Sequence, residues 1–218
     1  MNASAVNFVS DLCGLRFDHA FNPYVDVCET HDLPQANAIR RDNLEAAMTY
    51  ALRGGISSLW IARDLGYRGG RRTGLALTDE HHLQDHADHL GVGRFQKATR
   101  SGSLREATAG VVWPVVRRTP ERVFLWNIFP LHPHPAADAF GNRKHTSAEA
   151  AAGLDFVHRL VTLFQPRRVI AIGQDADGLL AKAGIAATGV RHPSYGGASV
   201  FRAQMATLYD LADATGQR

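Results

Sequence analysis

Hydrophobic positions along the chain alternate between helical stripes and short continuous runs. Val6, Val9 and Leu12, with Phe8 beside them, predict a helix over residues 4–12, and residues 21–24 (Phe-Asn-Pro-Tyr) read as a turn. Ile39, Leu44, Met48 and Leu52 predict a helix over residues 34–52, stopped by Gly54 and Gly55. Residues 58–62 (Ser-Leu-Trp-Ile-Ala) form an unbroken apolar run, as a central strand buried on both faces requires. Thr78, Asp79 and Glu80 read as the cap of a helix reaching about Leu90. A basic, mobile loop is expected over 95–102 and a helix containing Pro114 over 103–116. Residues 123–126 predict a second buried strand ending in Asn127, followed by an irregular segment, rich in proline and histidine, over 128–144. A helix over 146–164 is capped by Thr146 or Ser147. A strand over 169–172, a helix over 174–183, a short strand over 187–190 and a last helix from Ser199 to about Ala214 complete the pattern. Strands alternating with helices predict a three-layer α/β/α fold with a central four-stranded parallel sheet.

The 218 residues suit one such domain and are short for two. Net charge is only +3, yet Lys97, Lys144 and Lys182 are the only lysines and every other cation is arginine. Codon bias and bidentate phosphate contact both produce that composition, and composition alone does not separate them. Cys13 and Cys28 are the only cysteines, without a CxxC pair, which excludes an iron–sulfur cluster and a Cys-rich zinc site; no cofactor is expected. The first residues lack a basic region and a long apolar core, and no run approaches a membrane span. A cytoplasmic monomer without a membrane partner is the resulting expectation.

The chemistry gathers where strands end. Arg63 and Asp64 follow the first central strand, at the sheet edge where open α/β folds bind ligands. Gly66, Gly69, Gly70 and Gly74 allow the chain to turn tightly there, and Arg68, Arg71 and Arg72 surround the loop with cations. Asn127 and His192 also fall just past apolar runs, so in a parallel sheet they converge with Asp64 on one pocket.

These residues carry a resemblance. Asp64 with its loop, Asn127 in Leu-Trp-Asn-Ile-Phe-Pro, and His192-Pro193-Ser194 resemble, in order, the three motifs of the uracil-DNA glycosylase superfamily. Residues 62–67 align with the Gly-Gln-Asp-Pro-Tyr-His of its best-known branch. Gly66-Tyr67-Arg68-Gly69 with Thr73-Gly74 match the Gly-Tyr-Arg-Gly and Thr-Gly of other bacterial branches. The likeness runs from about Phe21 to the last helix. It implies flipping of uracil out of DNA and cleavage of its N-glycosidic bond, without a metal and without lyase activity, since no lysine is expected near the pocket. Asp64 and His192 then correspond to the catalytic residues, and Asn127 to the group reading the uracil edge. Arg68, Arg71, Arg72, Arg191 and Ser194 become candidates for holding phosphates, and Tyr195 beside Gly196 for filling the gap left by the flipped base.

The sequence also departs from the family pattern. Arg63 stands where the family has glutamine or glutamate, placing a large cation at the pocket mouth. Gly66 replaces the tyrosine that excludes thymine, leaving Tyr67 as the candidate for that role. Leu77 aligns with the aromatic residue that stacks on uracil, with Phe129 or Phe21 as substitutes. Two other readings compete. His82, His86 and His89 share one helical face at metal-ligand spacing, as in a zinc hydrolase. The Gly-Tyr-Arg-Gly-Gly run at 66–70 offers a phosphate cradle for a non-catalytic nucleotide-binding module.

Overall fold

The computed structural model describes residues 2–211. In chain order the elements are α1 (Ala3–Cys13), β1 (Ala20–Phe21), α2 (Ala36–Gly54), β2 (Ser58–Asp64), α3 (Gly70–Thr73), α4 (Leu83–Leu90) and α5 (Ala107–Val116). They continue with β3 (Val123–Phe129), β4 (His132–Pro133), α6 (Ser147–Phe164), β5 (Arg168–Ile172), α7 (Gln174–Lys182), β6 (Thr188–Val190) and α8 (Ala198–Leu208). β3, β2, β5 and β6 hydrogen-bond in that order as a parallel four-stranded sheet, and β1 pairs antiparallel with β4 outside it. Ala214, expected near the end of the last helix, lies outside the described residues.

The sheet is buried on both faces, which explains why its strands read as unbroken apolar runs. On one face Leu59, Ile61, Phe124, Trp126 and Ala171 pack with residues of α1, α2, α4, α6 and α7, including Phe8 edge-on to Trp126 at 5.4 Å. On the other, Trp60, Ala62, Leu125, Ile170, Ile172 and Val190 pack with Val112 and Trp113 of α5 and with Phe201 and Met205 of α8. Each fully buried large side chain contributes about 1.5–3 kcal/mol. Thr146 caps α6 in a full capping box: its hydroxyl accepts from Glu149 N–H at 3.3 Å, and the Glu149 carboxylate accepts from Thr146 N–H at 2.6 Å.

Four local expectations need correction. Residues 78–80 do not cap α4, which begins at Leu83. Asp79 instead accepts from the N–H groups of His81 and His82, each at 3.0 Å, in a preceding turn. The predicted helix over 103–116 starts only at Ala107. The segment 95–102, basic in sequence, is tied down rather than mobile. Phe95, Ala98 and Thr99 are buried, Thr99 bridges to Asp32, and the Ala98 carbonyl accepts from Leu33 N–H at 2.9 Å. The second strand runs two residues past Asn127, to Phe129, and the irregular segment after it contributes β4.

Candidate active site

Strand register places the candidate residues. Ala62 pairs with Asn127 and Asp64 with Phe129 across β2 and β3, and paired residues of parallel strands point to the same side. Trp60 pairs with Ile170 and Ile172 with Val190, so the same side continues across β5 and β6. His192 lies two residues beyond Val190 in that alternation. Asp64 and Asn127 therefore stand at the carboxyl edge on the face covered by α5 and α8, and His192 follows the carboxyl end of β6.

Asp64 is held from both sides. Its Oδ2 accepts from Arg63 Nε at 2.7 Å, and its Oδ1 accepts a short hydrogen bond from Nδ1 of His145, itself buried. Sequence reasoning missed His145, which lies between the irregular segment and the α6 cap. A histidine immediately ahead of the helix cap was its only signal. Arg63 also donates to Asp175 at 3.0 Å, and Asp175 binds Lys144. A lysine therefore does stand at this edge, three ion pairs from Asp64, contrary to expectation. Its ammonium is paired with a carboxylate, which leaves it a poor nucleophile. Lys144, His145 and Asp175 line a cavity of about 330 Å³ between the starts of α6 and α7.

His192 accepts from Ser194 N–H through Nδ1 at 3.1 Å, with the Ser194 hydroxyl at 2.7 Å from the same atom. Burial, with help from Arg63 and Arg191, pushes its pKa down to about 4. The ring is neutral at pH 7, and with Nδ1 accepting, its proton sits on Nε2. Asn127 donates through Nδ2 to the Asp64 carbonyl at 3.0 Å, which fixes the orientation of the amide. Its Oδ1 is buried without a hydrogen-bond partner among the described residues. A buried acceptor left open beside a carboxylate and a neutral imidazole donor suits a ligand that supplies an N–H.

A model of the Uracil DNA glycosylase superfamily matches residues 69–208, well over half of the chain. The chain belongs to the uracil-DNA glycosylase superfamily. It is thus a DNA glycosylase, with DNA as its partner. The match takes in Asn127 and His192 and begins just after Asp64. Among solved structures, wild-type SMUG2 of Pedobacter heparinus superposes with a TM-score of 0.65 at 12% identity. That superposition covers 95% of this chain and 97% of that one, a likeness in fold. A search of curated proteins found no match.

Within this superfamily chain, the basic loop divides. Arg68 and Arg191 are exposed, as are Gly196 and Tyr195, the latter a residue 96% exposed. Ser194 is half-buried beneath them. Arg71 and Arg72 are buried and turned inward, which corrects their reading as phosphate contacts. Arg72 pairs with Glu80 at 3.0 Å and donates to Ser101 at 2.7 Å. Arg71 lies 4.0 Å from the centre of the Phe21 ring and donates to His132 and to the Ala139 carbonyl. Both arginines brace the glycine loop. Gly74 shows why a glycine is needed there: at φ +72° it is left-handed, and a Cβ would meet Arg40 at 2.7 Å.

The candidates for stacking and thymine exclusion are less exposed than expected. Leu77 is buried at φ +53°, with its carbonyl accepting from Trp113 Nε1 at 3.1 Å. Phe129 is fully buried, edge-on to Phe17 at 5.5 Å, and Arg71 covers Phe21. Tyr67 packs on Phe140 at 5.0 Å, and its hydroxyl reaches His31 at 3.3 Å.

Both competing constellations dissolve. His82 bonds Asp79 at 2.6 Å, His86 bonds the Thr78 hydroxyl at 2.9 Å, and His89 accepts from Val123 N–H at 2.9 Å. The three rings are committed to separate partners, and no group of three metal-ligating side chains occurs among the described residues. The glycine-rich turn is filled by the Glu106 carboxyl, since a Cβ on Gly66 or Gly69 would overlap its oxygens. A carboxyl already occupying that space leaves none for a bound phosphate.

The buried histidines set a pH limit on stability. Burial lowers His86 and His132 to about 3, while the unfolded chain binds those protons near pH 6.5. Their contribution is complete above about pH 6.5 and is lost as pH falls below it, by up to ~1.4 kcal/mol per pH unit for each histidine. Urea midpoints should therefore drop steadily from pH 7 to 4.5. A flat profile would contradict the neutral assignment.

Proposed function

We propose that this protein hydrolyses the N-glycosidic bond of uracil in DNA, leaving an abasic site, and that it does so as a monomer folded as one glycosylase domain. The observation that carries the reading is Asn127 Oδ1, buried and unpartnered beside Asp64 and neutral His192. A flipped uracil offers N3–H to that oxygen and its O4 to the second N–H of the same amide. Cytosine reverses the pattern and leaves buried groups unpaired.

Bond cleavage sends the electron pair to the base and leaves positive charge on the sugar. The Asp64 carboxylate faces that charge and orients the water that attacks C1′. Arg63 and His145 each occupy one lone-pair direction of its two oxygens, so room remains for the water. The Nε2–H of His192 donates to O2 of the departing uracil anion, acting as a fixed dipole where charge develops. Flipping the base costs a few kcal/mol, and Tyr195, exposed beside Gly196, is the candidate to occupy the vacated stack. Arg68, Arg191 and Ser194 remain candidates for the flanking phosphates.

The test is a labelled oligonucleotide containing one deoxyuridine, incubated with the wild type in EDTA. Uracil release with strand breakage only after alkali is expected. Breakage before alkali would bring Lys144 into the chemistry, and release abolished by EDTA would restore a metal mechanism. Release of a different damaged base would keep the glycosylase and reject uracil.

A further inference from the structure

Glu106 stands immediately before α5, the helix covering the sheet face that carries Asp64 and Asn127. Its side chain reaches back to the loop that follows Asp64, where its two oxygens occupy the space that side chains on Gly66 and Gly69 would need. The loop therefore has no side chain of its own at those two positions, and a carboxyl from a distant element takes their place. Neither oxygen has a hydrogen-bond partner among the described residues, although the Glu106 N–H donates to Asp79 at 2.7 Å. Burial, with Asp79 nearby, raises the Glu106 pKa to about 7, so near neutrality the group is present in both its acid and its carboxylate forms.

We infer that Glu106 forms the loop-side wall of the base pocket and determines which substituents the bound pyrimidine can carry on the edge facing Gly66. This rests on the uracil reading and adds to it a specificity-determining residue. A polar, space-filling wall rejects an added methyl both by its bulk and by leaving the carboxyl facing hydrocarbon.

The experiment compares release of uracil and of mispaired thymine by the wild type, Glu106→Gln and Glu106→Ala. Glu106→Gln keeps the wall and should keep the uracil-to-thymine ratio, whereas Glu106→Ala opens it and should lower that ratio by about tenfold or more, the scale of one methyl-sized contact. An unchanged ratio in a folded Glu106→Ala protein would overturn the inference while leaving the glycosylase reading intact. Absence of uracil release by the wild type would instead strike that reading. A second readout does not depend on catalysis. The side-chain carbon signal of Glu106, assigned by its disappearance in Glu106→Gln, is followed in labelled protein bound to an abasic duplex. Adding free uracil, or the free base found to be released instead, should move it. A signal that stays still, or one that moves with the duplex alone, would refute the assignment.

Discussion

Asp64→Asn is expected to reduce base release by roughly 10²–10⁴-fold, the range for a lost acid–base group, with little change in the denaturation midpoint. The substitution preserves size and one acceptor oxygen, so the Arg63 contact can persist. It removes the negative charge facing the sugar cation and the basicity needed to take a proton from water. The His145 contact sharpens the expectation, because a neutral amide meeting that ring must choose between its oxygen and its NH2. Single-turnover kinetics on deoxyuridine DNA are the measurement, since slow product release would mask the chemical step. An Asp64→Asn enzyme as fast as the wild type would mean that the water is oriented elsewhere and that the first motif is misaligned.

His192→Ala is expected to slow release by about 10²–10³-fold, the usual cost of removing one donor from a preorganised anion site. The loss should appear at the chemical step, because the uracil O2 accepts most strongly once the base has become an anion. With its pKa near 4, His192 is already neutral across pH 5–8 and contributes no titration there. Its Nε2–H is lost as a neutral donor only when pH falls through about 4 and the ring becomes cationic. A wild-type rate that rises as pH falls from 8 to 6, with the rise abolished in His192→Ala, would show that the imidazolium is the acting form and would overturn this role. Retention of full activity in His192→Ala would remove it from the mechanism.

Much of this protein was legible in its residues. Unbroken apolar runs announced strands buried on both faces, because no polar alternation is needed where neither side meets water. Helical stripes, a cap at Thr146 or Ser147 and the glycine stops placed most helices. Asp64, Asn127 and His192 could be assigned to one edge because parallel strands share a direction, and the register puts Asp64 and Asn127 on one face as well.

What only tertiary structure decided concerns direction and partners. Arg68, Arg71 and Arg72 are indistinguishable as a string of cations, yet Arg72 turns inward because buried Glu80 meets it, and Arg71 because Phe21 and His132 do. His82, His86 and His89 had metal spacing along the helix, but His82 and His86 turn to Asp79 and Thr78 of the preceding turn, and His89 meets Val123, brought near from 34 residues away. His145 on Asp64, 81 residues apart, and Glu106 against Gly66 had no local signature at all. Periodicity and turn chemistry are local properties that a chain displays along its length. A hydrogen bond between distant residues exists only once the sheet and its covering helices have brought them together.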